Sequence, residues 1–291
     1  MLSGISSTAY VVRIFLRLLN ALLRMQQSNL STKIMGVLNV TPDSFSDGGA
    51  FLSIDAAVAH ALHMQQDGAD CIDIGGESTR PGSEPVSEEE ELRRVIPVIK
   101  ALRATLSIPL SVDTYKPAVA REALQAGASI INDVTGLSDQ AMLAVAGNAK
   151  ASVVIMHMKG KPKTMQESPV YKDIVTDIKD FFRERIAQAR EAGVTDLILD
   201  PGIGFGKTLE HNHVILRRLR EFTEFGFPIL IGVSRKSFIG ALTGGMPPSE
   251  RLEGTIAASV IAAGNGASWV RVHDVQECKR ALLISDAIHN A

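Results

Sequence analysis

The sequence predicts a single-domain α/β protein folded as a (β/α)8 barrel. Three observations carry that expectation. Eight short apolar, β-branched runs recur between residues 34 and 272. Longer amphipathic segments separate them, so the strands are parallel and buried on both faces. Polar residues gather at the carboxyl ends of the runs and not at their starts. That is the end where such barrels carry their sites. The alternative is an open, doubly wound sheet, but no Gly-x-Gly-x-x-Gly follows the first run, which removes that fold's commonest signature. A length of 291 residues suits one such barrel, typically about 250 residues, with an extension.

The elements read in order as follows. Residues 1–30 form an amphipathic helical extension, leaving 31–291 for the barrel. Within 9–24 the sequence is apolar except for a stripe of Arg13, Arg17, Asn20 and Arg24, and no acidic residue occurs before Asp43. Three readings of this segment stand open: a helix covering the barrel floor, an upstream extension with Met25 as the start, and a membrane-surface or targeting helix. The predicted strands are Ile34–Leu38, Asp70–Ile74, Pro109–Asp113, Ser129–Asn132, Ser152–Met156, Asp196–Asp200, Pro228–Val233 and Ser268–Val272. Helical patterns cover Ile54–Asp67, Glu88–Thr105, Lys116–Ala126, Tyr171–Ala192, Leu209–Phe225, Ser249–Ala263 and a closing Val275–His289. Gly68, Gly127, Gly193 and Gly226 each follow a helix and precede a strand, where a left-handed residue ends the helix.

Composition narrows the function. Thirty basic against thirty-two acidic residues argue against a polyanion binder acting through bulk charge, and aromatics at 5% argue against a base-stacking platform. Nucleic acid is therefore not an expected partner. Two cysteines, Cys71 and Cys278, exclude a disulfide framework or a thiolate zinc cage, and both read as buried thiols.

The strand ends collect Asn39, Asp73, Glu77, Asp113, Asn132, Asp133, His157, Asp200, Ser234, Lys236, Arg271 and His273. A merely structural barrel has no reason to crowd one mouth with groups so costly to desolvate. Each also has a plainer reading. Asp113 would cap the helix at Lys116, and one of Asn132 and Asp133 would cap the next loop. Asp73 and Arg235 would sit in ion pairs. His157 would be a satisfied strand-end histidine, and Asp200 would serve a turn. Arg271 and His273 alternate on strand 8, beside the basic run 232–237 after strand 7, which is the usual phosphate site of this barrel. The loop 202–207 is glycine-rich without Walker spacing, so it is a tight turn or a place where backbone approaches a flat ligand beside Phe205. Loops 41–50 and 77–86 are long, punctuated by Gly and Pro, and follow early strands on the same face, as covers over a substrate do.

The residues at this point resemble a known family. Met35-Gly-Val-Leu-Asn-Val-Thr-Pro-Asp-Ser-Phe-Ser-Asp-Gly-Gly49 and Asp73-Ile-Gly-Gly-Glu-Ser-Thr-Arg-Pro-Gly82 are similar to the two signatures of the dihydropteroate synthases. Ser111-Val-Asp-Thr, Ile131-Asn-Asp, Met156-His-Met, Leu199–Lys207, Ser234–Ser237 and Arg271–Asp274 follow in the family's order, so the resemblance spans residues 34 to about 290. It implies a (β/α)8 barrel and a transferase reaction of folate biosynthesis. In it, 6-hydroxymethyl-7,8-dihydropterin pyrophosphate condenses with 4-aminobenzoate to give 7,8-dihydropteroate and pyrophosphate. The C–O bond would break first, leaving a delocalised pterin cation for the arylamine to attack.

The resemblance also implies roles. Asp113, Asp200, Lys236 and Arg271 would carry catalysis. Asp113, Asn132, Met156, Asp200, Gly232 and Lys236 would hold the pterin. Thr79, Arg80, Pro81, Phe205 and Ser234 would take 4-aminobenzoate. Asn39, Arg80, Arg271 and His273 would take the pyrophosphate, with Mg²⁺ at Asn39. A homodimer, a cytoplasmic location and inhibition by sulfonamides are further expectations. Family members often open with a strand or hairpin closing the floor, and residues 1–30 depart from that. The competing functions are a pterin-binding paralogue that does not condense, a pterin-dependent methyltransferase on the same barrel, and an aldolase using Lys236 as a Schiff base.

Overall fold

A computed structural model describes residues 31–41, 54–78, 83–160, 165 and 169–291. The expected helix within 1–30 lies outside the described residues, as do most of loop 41–50 and positions 79–82. Eight parallel strands form one sheet: β1 (Lys33–Asn39), β2 (Cys71–Gly75), β3 (Leu110–Asp113), β4 (Ile130–Asp133), β5 (Ser152–Met156), β6 (Leu197–Asp200), β7 (Leu230–Ile231) and β8 (Trp269–Val272). Their spatial order is β6-β5-β4-β3-β2-β1-β8-β7. A single parallel bridge, Leu199 to Ile229, and the bond from the Leu199 N–H to the Pro228 carbonyl (2.9 Å) join β6 to the foot of β7. The sheet is thus a (β/α)8 barrel whose last seam is thin. Of the expected run Pro228–Val233, Leu230 and Ile231 form the strand and Ile229 adds the bridge; Pro228 lacks an N–H and the chain turns at Gly232 toward its helix.

The helices among the described residues are α1 (Ile54–Gln66), α2 (Glu88–Thr105), α3 (Pro117–Ala126), α4 (Gln140–Ala149), α5 (Ile174–Glu191), α6 (Leu209–Arg217), α7 (Ser237–Leu242), α8 (Leu252–Gly264) and α9 (Val275–His289). Sequence patterns anticipate most of them. The expected helix over 171–192 starts at Ile174, where Asp173 accepts from the Thr176 N–H and caps it. The pattern over 209–225 breaks into α6 and a 3-10 turn, Leu219–Phe225. The helix expected from Ser249 begins at Leu252, after a short 3-10 turn over Pro248–Glu250. Helix α4 has no expected counterpart: its small, largely apolar residues lack a clear polar stripe. Asp139 caps it and Lys150, at φ +51°, ends it. Gly68, Gly127, Gly193 and Gly226 all take positive φ, as their positions after helices predicted.

The core divides in two. Ile34, Leu38, Ile72, Val112, Ile131, Val153 and Leu199 point outward into a large shell packed against the helices. Met35, Cys71, Ile130, Val154, Ile198, Leu230 and Trp269 form a separate cluster, one residue from each of seven strands. This alternation is the period of two expected of strands. The second cluster fills the lower lumen and makes an apolar floor. Both cysteines are buried thiols, as expected. At the same end the Thr32 N–H and hydroxyl bind the Asp286 carboxylate of α9 (2.8 and 3.0 Å).

Candidate active site

Two residues further along β2, β4, β6 and β8, the lumen turns polar. Met35 is followed on its face by Val37 and Asn39, Cys71 by Asp73 and Gly75, Ile130 by Asn132, Ile198 by Asp200, Leu230 by Gly232 and Trp269 by Arg271. Asp73, Asp113, Asn132 and Asp200 are all buried. Arg271 ties this layer together. Its Nε donates to Asp73 Oδ2 (2.6 Å) and its Nη2 to Asp113 Oδ2 (2.8 Å). Asn132 Nδ2 donates to the same Asp73 oxygen at 2.9 Å, leaving the Asn132 carbonyl oxygen as an acceptor. The ion-pair reading of Asp73 therefore holds, and its partner is a residue predicted for the site.

Two carboxylate oxygens here, Asp73 Oδ1 and Asp113 Oδ1, are buried without a hydrogen-bond partner among the described residues, as is Ser111 Oγ. Buried acceptors of this kind cost about 1–3 kcal/mol each unless something donates to them. Burial pushes Asp113 up to about 7 against the opposing pull of Arg271, with the Asp73 charge adding to the rise. Burial likewise raises Asp200, opposed by Lys236 and by the Gly202 N–H, which donates to Asp200 Oδ1 at 2.7 Å. The capping alternative for Asp113 fails: α3 is preceded by Lys116 with no side-chain cap. At β4 the capping falls to Asp133, whose oxygens take the N–H groups of Thr135 and Leu137, which frees Asn132 for the lumen.

Gly75 and Gly232 have ordinary φ and are there for room. A Cβ on Gly75 would stand 3.7 Å from Asn39 Oδ1 and 3.8 Å from Asp113 Oδ2, so those two oxygens converge over it. A Cβ on Gly232 would stand 3.6 Å from Lys236 Nζ and 3.9 Å from Arg271 Cβ. Lys236 follows β7, donates to the Ile203 carbonyl and lies 4.7 Å from the centre of the Phe205 ring. Burial lowers it to about 8, with Asp200 opposing. Ser234 and His273 meet directly, Oγ to Nδ1 at 2.9 Å, and the His273 N–H also reaches Ser234 Oγ at 3.2 Å. Ser234 is thus linked to a predicted pyrophosphate residue. Arg235 forks onto Asp274 (2.5 and 3.1 Å), away from the lumen, which is the ion-pair reading. Met156 is buried at the end of β5 beside Asp200. Thr79, Arg80 and Pro81 lie outside the described residues.

Two sets of contacts join residues that the sequence already singles out, and the reading of His157 as a satisfied strand-end histidine holds. Lys207 is 2% exposed and its amine meets His157 Nδ1, the His157 carbonyl and the Phe205 carbonyl at 3.0, 3.1 and 2.9 Å. Burial pulls it well below the ordinary lysine value, and burial with the Lys207 charge pulls His157 down to about 2, a neutral ring. Glu77 accepts from Lys116 Nζ (2.5 Å), Tyr115 Oη (3.0 Å) and the Val86 N–H (3.3 Å), so one carboxylate joins both ends of loop 77–86 to the segment after β3. The sequence places Glu77 at a strand end and Lys207 at the end of the glycine-rich loop, but the partners of each come from distant segments.

Among the described residues no three His, Cys, Asp or Glu side chains come together to hold a metal. The one hard oxygen expected to do so is Asn39 Oδ1. Mg²⁺ commonly takes one or two protein oxygens and completes its shell with phosphate and water, so a lone Asn carbonyl over an open glycine fits a metal that arrives with a phosphate ligand. Among the described residues no helix is long and apolar enough to cross a membrane.

Residues 35–273 match the family described as pterin binding enzymes. The dihydropteroate synthase of Escherichia coli K12 is 51% identical over 260 residues, 89% of this chain and 92% of that protein. The Yersinia pestis dihydropteroate synthase solved with a sulfonamide drug superposes with a TM-score of 0.86 at 49% identity, covering 90% of this chain and 96% of that one. The Xanthomonas albilineans enzyme in complex with 7,8-dihydropteroate gives 0.81 at 45% identity, covering 89% and 94%.

Proposed function

Since the chain belongs to the pterin-binding enzymes, among the dihydropteroate synthases, we propose that it condenses 6-hydroxymethyl-7,8-dihydropterin pyrophosphate with 4-aminobenzoate to give 7,8-dihydropteroate and pyrophosphate. The observation that carries this reading is the unpartnered pair Asp73 Oδ1 and Asp113 Oδ1 beside an arginine already bridging the same two carboxyls. A pterin edge presents an amino group and ring N–H donors that suit such acceptors, with Asn132 Oδ1 and Asp200 completing the set. Lys236 supplies a donor for the ring's acceptor atoms.

The chemistry follows from charge. Three carboxylates, Asp73, Asp113 and Asp200, surround the lumen. As the C–O bond to the leaving pyrophosphate breaks, positive charge spreads over the pterin, and fixed carboxylates favour it. Arg271 has three N–H groups beyond those given to Asp73 and Asp113, and with His273 it meets the negative charge gathering on the leaving group. Asn39 would hold Mg²⁺, which when bound neutralises part of the pyrophosphate charge. The arylamine nitrogen then forms the new C–N bond and gives up one proton to the departing pyrophosphate. Phe205 offers an aromatic wall for the arylamine, with Ser234 and the segment Thr79–Pro81 completing the slot.

The domain assignment, residues 1–30 as an extension and 31–291 as the barrel, belongs to the same proposal, as do a homodimer and a cytoplasmic location. Removing residues 1–24 leaves Thr32 and its Asp286 bonds in place, and the truncated protein is expected to keep its activity. The deciding experiment measures pyrophosphate release with each substrate alone and with both. Release that needs both, and sulfonamide inhibition competitive with 4-aminobenzoate alone, is the expected result. Release without an arylamine, or borohydride trapping of a carbonyl substrate on Lys236, would remove the reading. Excess chelator is expected to suppress turnover and weaken pyrophosphate binding; full activity in chelator would remove Mg²⁺ from the scheme.

A further inference from the structure

The glycine-rich loop after β6 is held at almost every peptide. The Ile203 carbonyl takes Lys236, the Gly204 N–H reaches Asn212 Oδ1 at 2.8 Å, and the Phe205 N–H closes a turn onto the Gly202 carbonyl at 3.1 Å. The Phe205 carbonyl takes Lys207 and the Gly206 carbonyl takes the Tyr171 hydroxyl, at 2.9 and 2.8 Å. Gly202 and Gly206 sit at φ +70° and +63°, and a Cβ on either would collide with the carbonyl oxygens of His157 and Lys159. At these two glycines the loop is therefore pressed directly onto the backbone of the chain leaving β5.

Lys207 is the unusual member. A buried ammonium is tolerated when every N–H is satisfied, and its usual partner is a carboxylate. Here no carboxylate bonds it. Its amine stands within hydrogen-bond distance of three groups: His157 Nδ1, the His157 carbonyl and the Phe205 carbonyl. The His157 ring packs edge-on to Phe181, with centroids 5.0 Å apart. An apolar side chain would fill this space without the desolvation of a charge. What the amine adds is a fixed distance between the end of β5 and the peptide of Phe205.

We infer that Lys207, with Tyr171, is a positioning residue for the arylamine: it clamps the 205–206 carbonyls and thereby sets where the Phe205 ring stands beneath Lys236. This rests on the proposed reading of Phe205 as a wall of the 4-aminobenzoate slot. A wall displaced by about 1 Å is enough to change kinetics by tens of fold.

The test is steady-state kinetics on Lys207→Met, Phe205→Ala and the double variant, varying each substrate in turn. Lys207→Met is expected to raise KM for 4-aminobenzoate and Ki for sulfanilamide about tenfold or more, with KM for the pterin pyrophosphate within about twofold. In the Phe205→Ala background the same change is expected to add nothing, because both act through one ring. Additive effects, or equal effects on both substrates, would overturn the clamp. Should Lys207→Met not fold, Tyr171→Phe carries the test, with an expected rise of about threefold in KM for 4-aminobenzoate alone; an unchanged value would overturn it. A Phe205→Ala enzyme with normal 4-aminobenzoate kinetics would take down the slot and the clamp together, whereas a damaged one beside a non-selective Lys207→Met takes down the clamp alone.

Discussion

The floor and the mouth of this barrel are built by the same strands, two residues apart. Ile130 lies in the dry floor and Asn132 in the polar layer above it; Ile198 and Asp200, and Trp269 and Arg271, repeat the step. The floor carries no charged side chain and packs by shape. The mouth gathers three carboxyl groups, Asp73, Asp113 and Asp200, and two basic side chains, Lys236 and Arg271, with bonds that leave oxygens of Asp73 and Asp113 unpaired among the described residues. One end is therefore close to its own optimum, and the other is completed by something that donates hydrogen bonds and carries charge. Stability and function occupy different layers of one lumen, separated by a single period of the β-strand.

The strongest way to break that separation is Arg271→Ala. It strands two buried carboxylates at once, so it is expected to cost about 3–5 kcal/mol of folding stability as well as roughly 10³-fold in kcat. Denaturant melts and turnover numbers on the same preparation check both. A folded, active variant would mean the mouth is not the charged keystone argued here. Trp269→Ala lies two residues below and is expected to cost a similar 3–5 kcal/mol of stability through a cavity, while KM for either substrate stays put. A kinetic change as large as the stability change would join floor to mouth.

Asp113→Asn sharpens the contrast with a smaller and opposite effect. The folded protein holds this carboxyl up near 7, so at pH 8 the ionised side chain opposes folding. The amide keeps an oxygen for Arg271 and removes the charge. The melting temperature at pH 8 is expected to hold or rise, while kcat/KM falls by about 1–3 kcal/mol of lost ligand bonding or more. Loss of both together would make Asp113 a structural residue.

Much of this was legible in the sequence because the strand period puts chemistry on a fixed face. Once Arg271 and His273 were seen to alternate, their sharing of the lumen followed. What could not be read was the pairing inside the lumen. That Arg271 joins Asp73 and Asp113, residues 198 and 158 positions away, depends on barrel closure and not on local pattern. The burial of Lys207 was missed for the same reason: beside three glycines it reads as a loop cation, and only folding against His157 buries it. Helix α4 was missed because Ala and Gly mark neither face of a helix. The break after Arg217 went unseen because the apolar pattern continues through the 3-10 turn.

The smallest expected effect separates the layers by pH. Asp113 has its folded value raised to about 7, above the ordinary carboxylate range, so the proton it keeps stabilises the fold fully at low pH. That contribution is lost as pH rises through about 7. Donors from a pterin favour the ionised form, so binding has the opposite slope. Below about 7 the carboxylate must first lose its proton, and affinity for 6-hydroxymethylpterin is expected to fall about tenfold per unit as the solution is acidified. A pterin without phosphates removes the substrate's own titration from the measurement. Calorimetry at two buffer ionisation enthalpies is expected to show proton release on binding near pH 6.5. In Asp113→Asn both slopes are expected to flatten, with weak binding at every pH. In Trp269→Ala both are expected to persist, shifted only in absolute stability, because the floor holds no group that titrates in this range. Binding that is flat with pH in the unaltered protein would mean the pterin meets Asp113 as a neutral acid, and the unpaired Oδ1 would then have to be a donor rather than the acceptor proposed here.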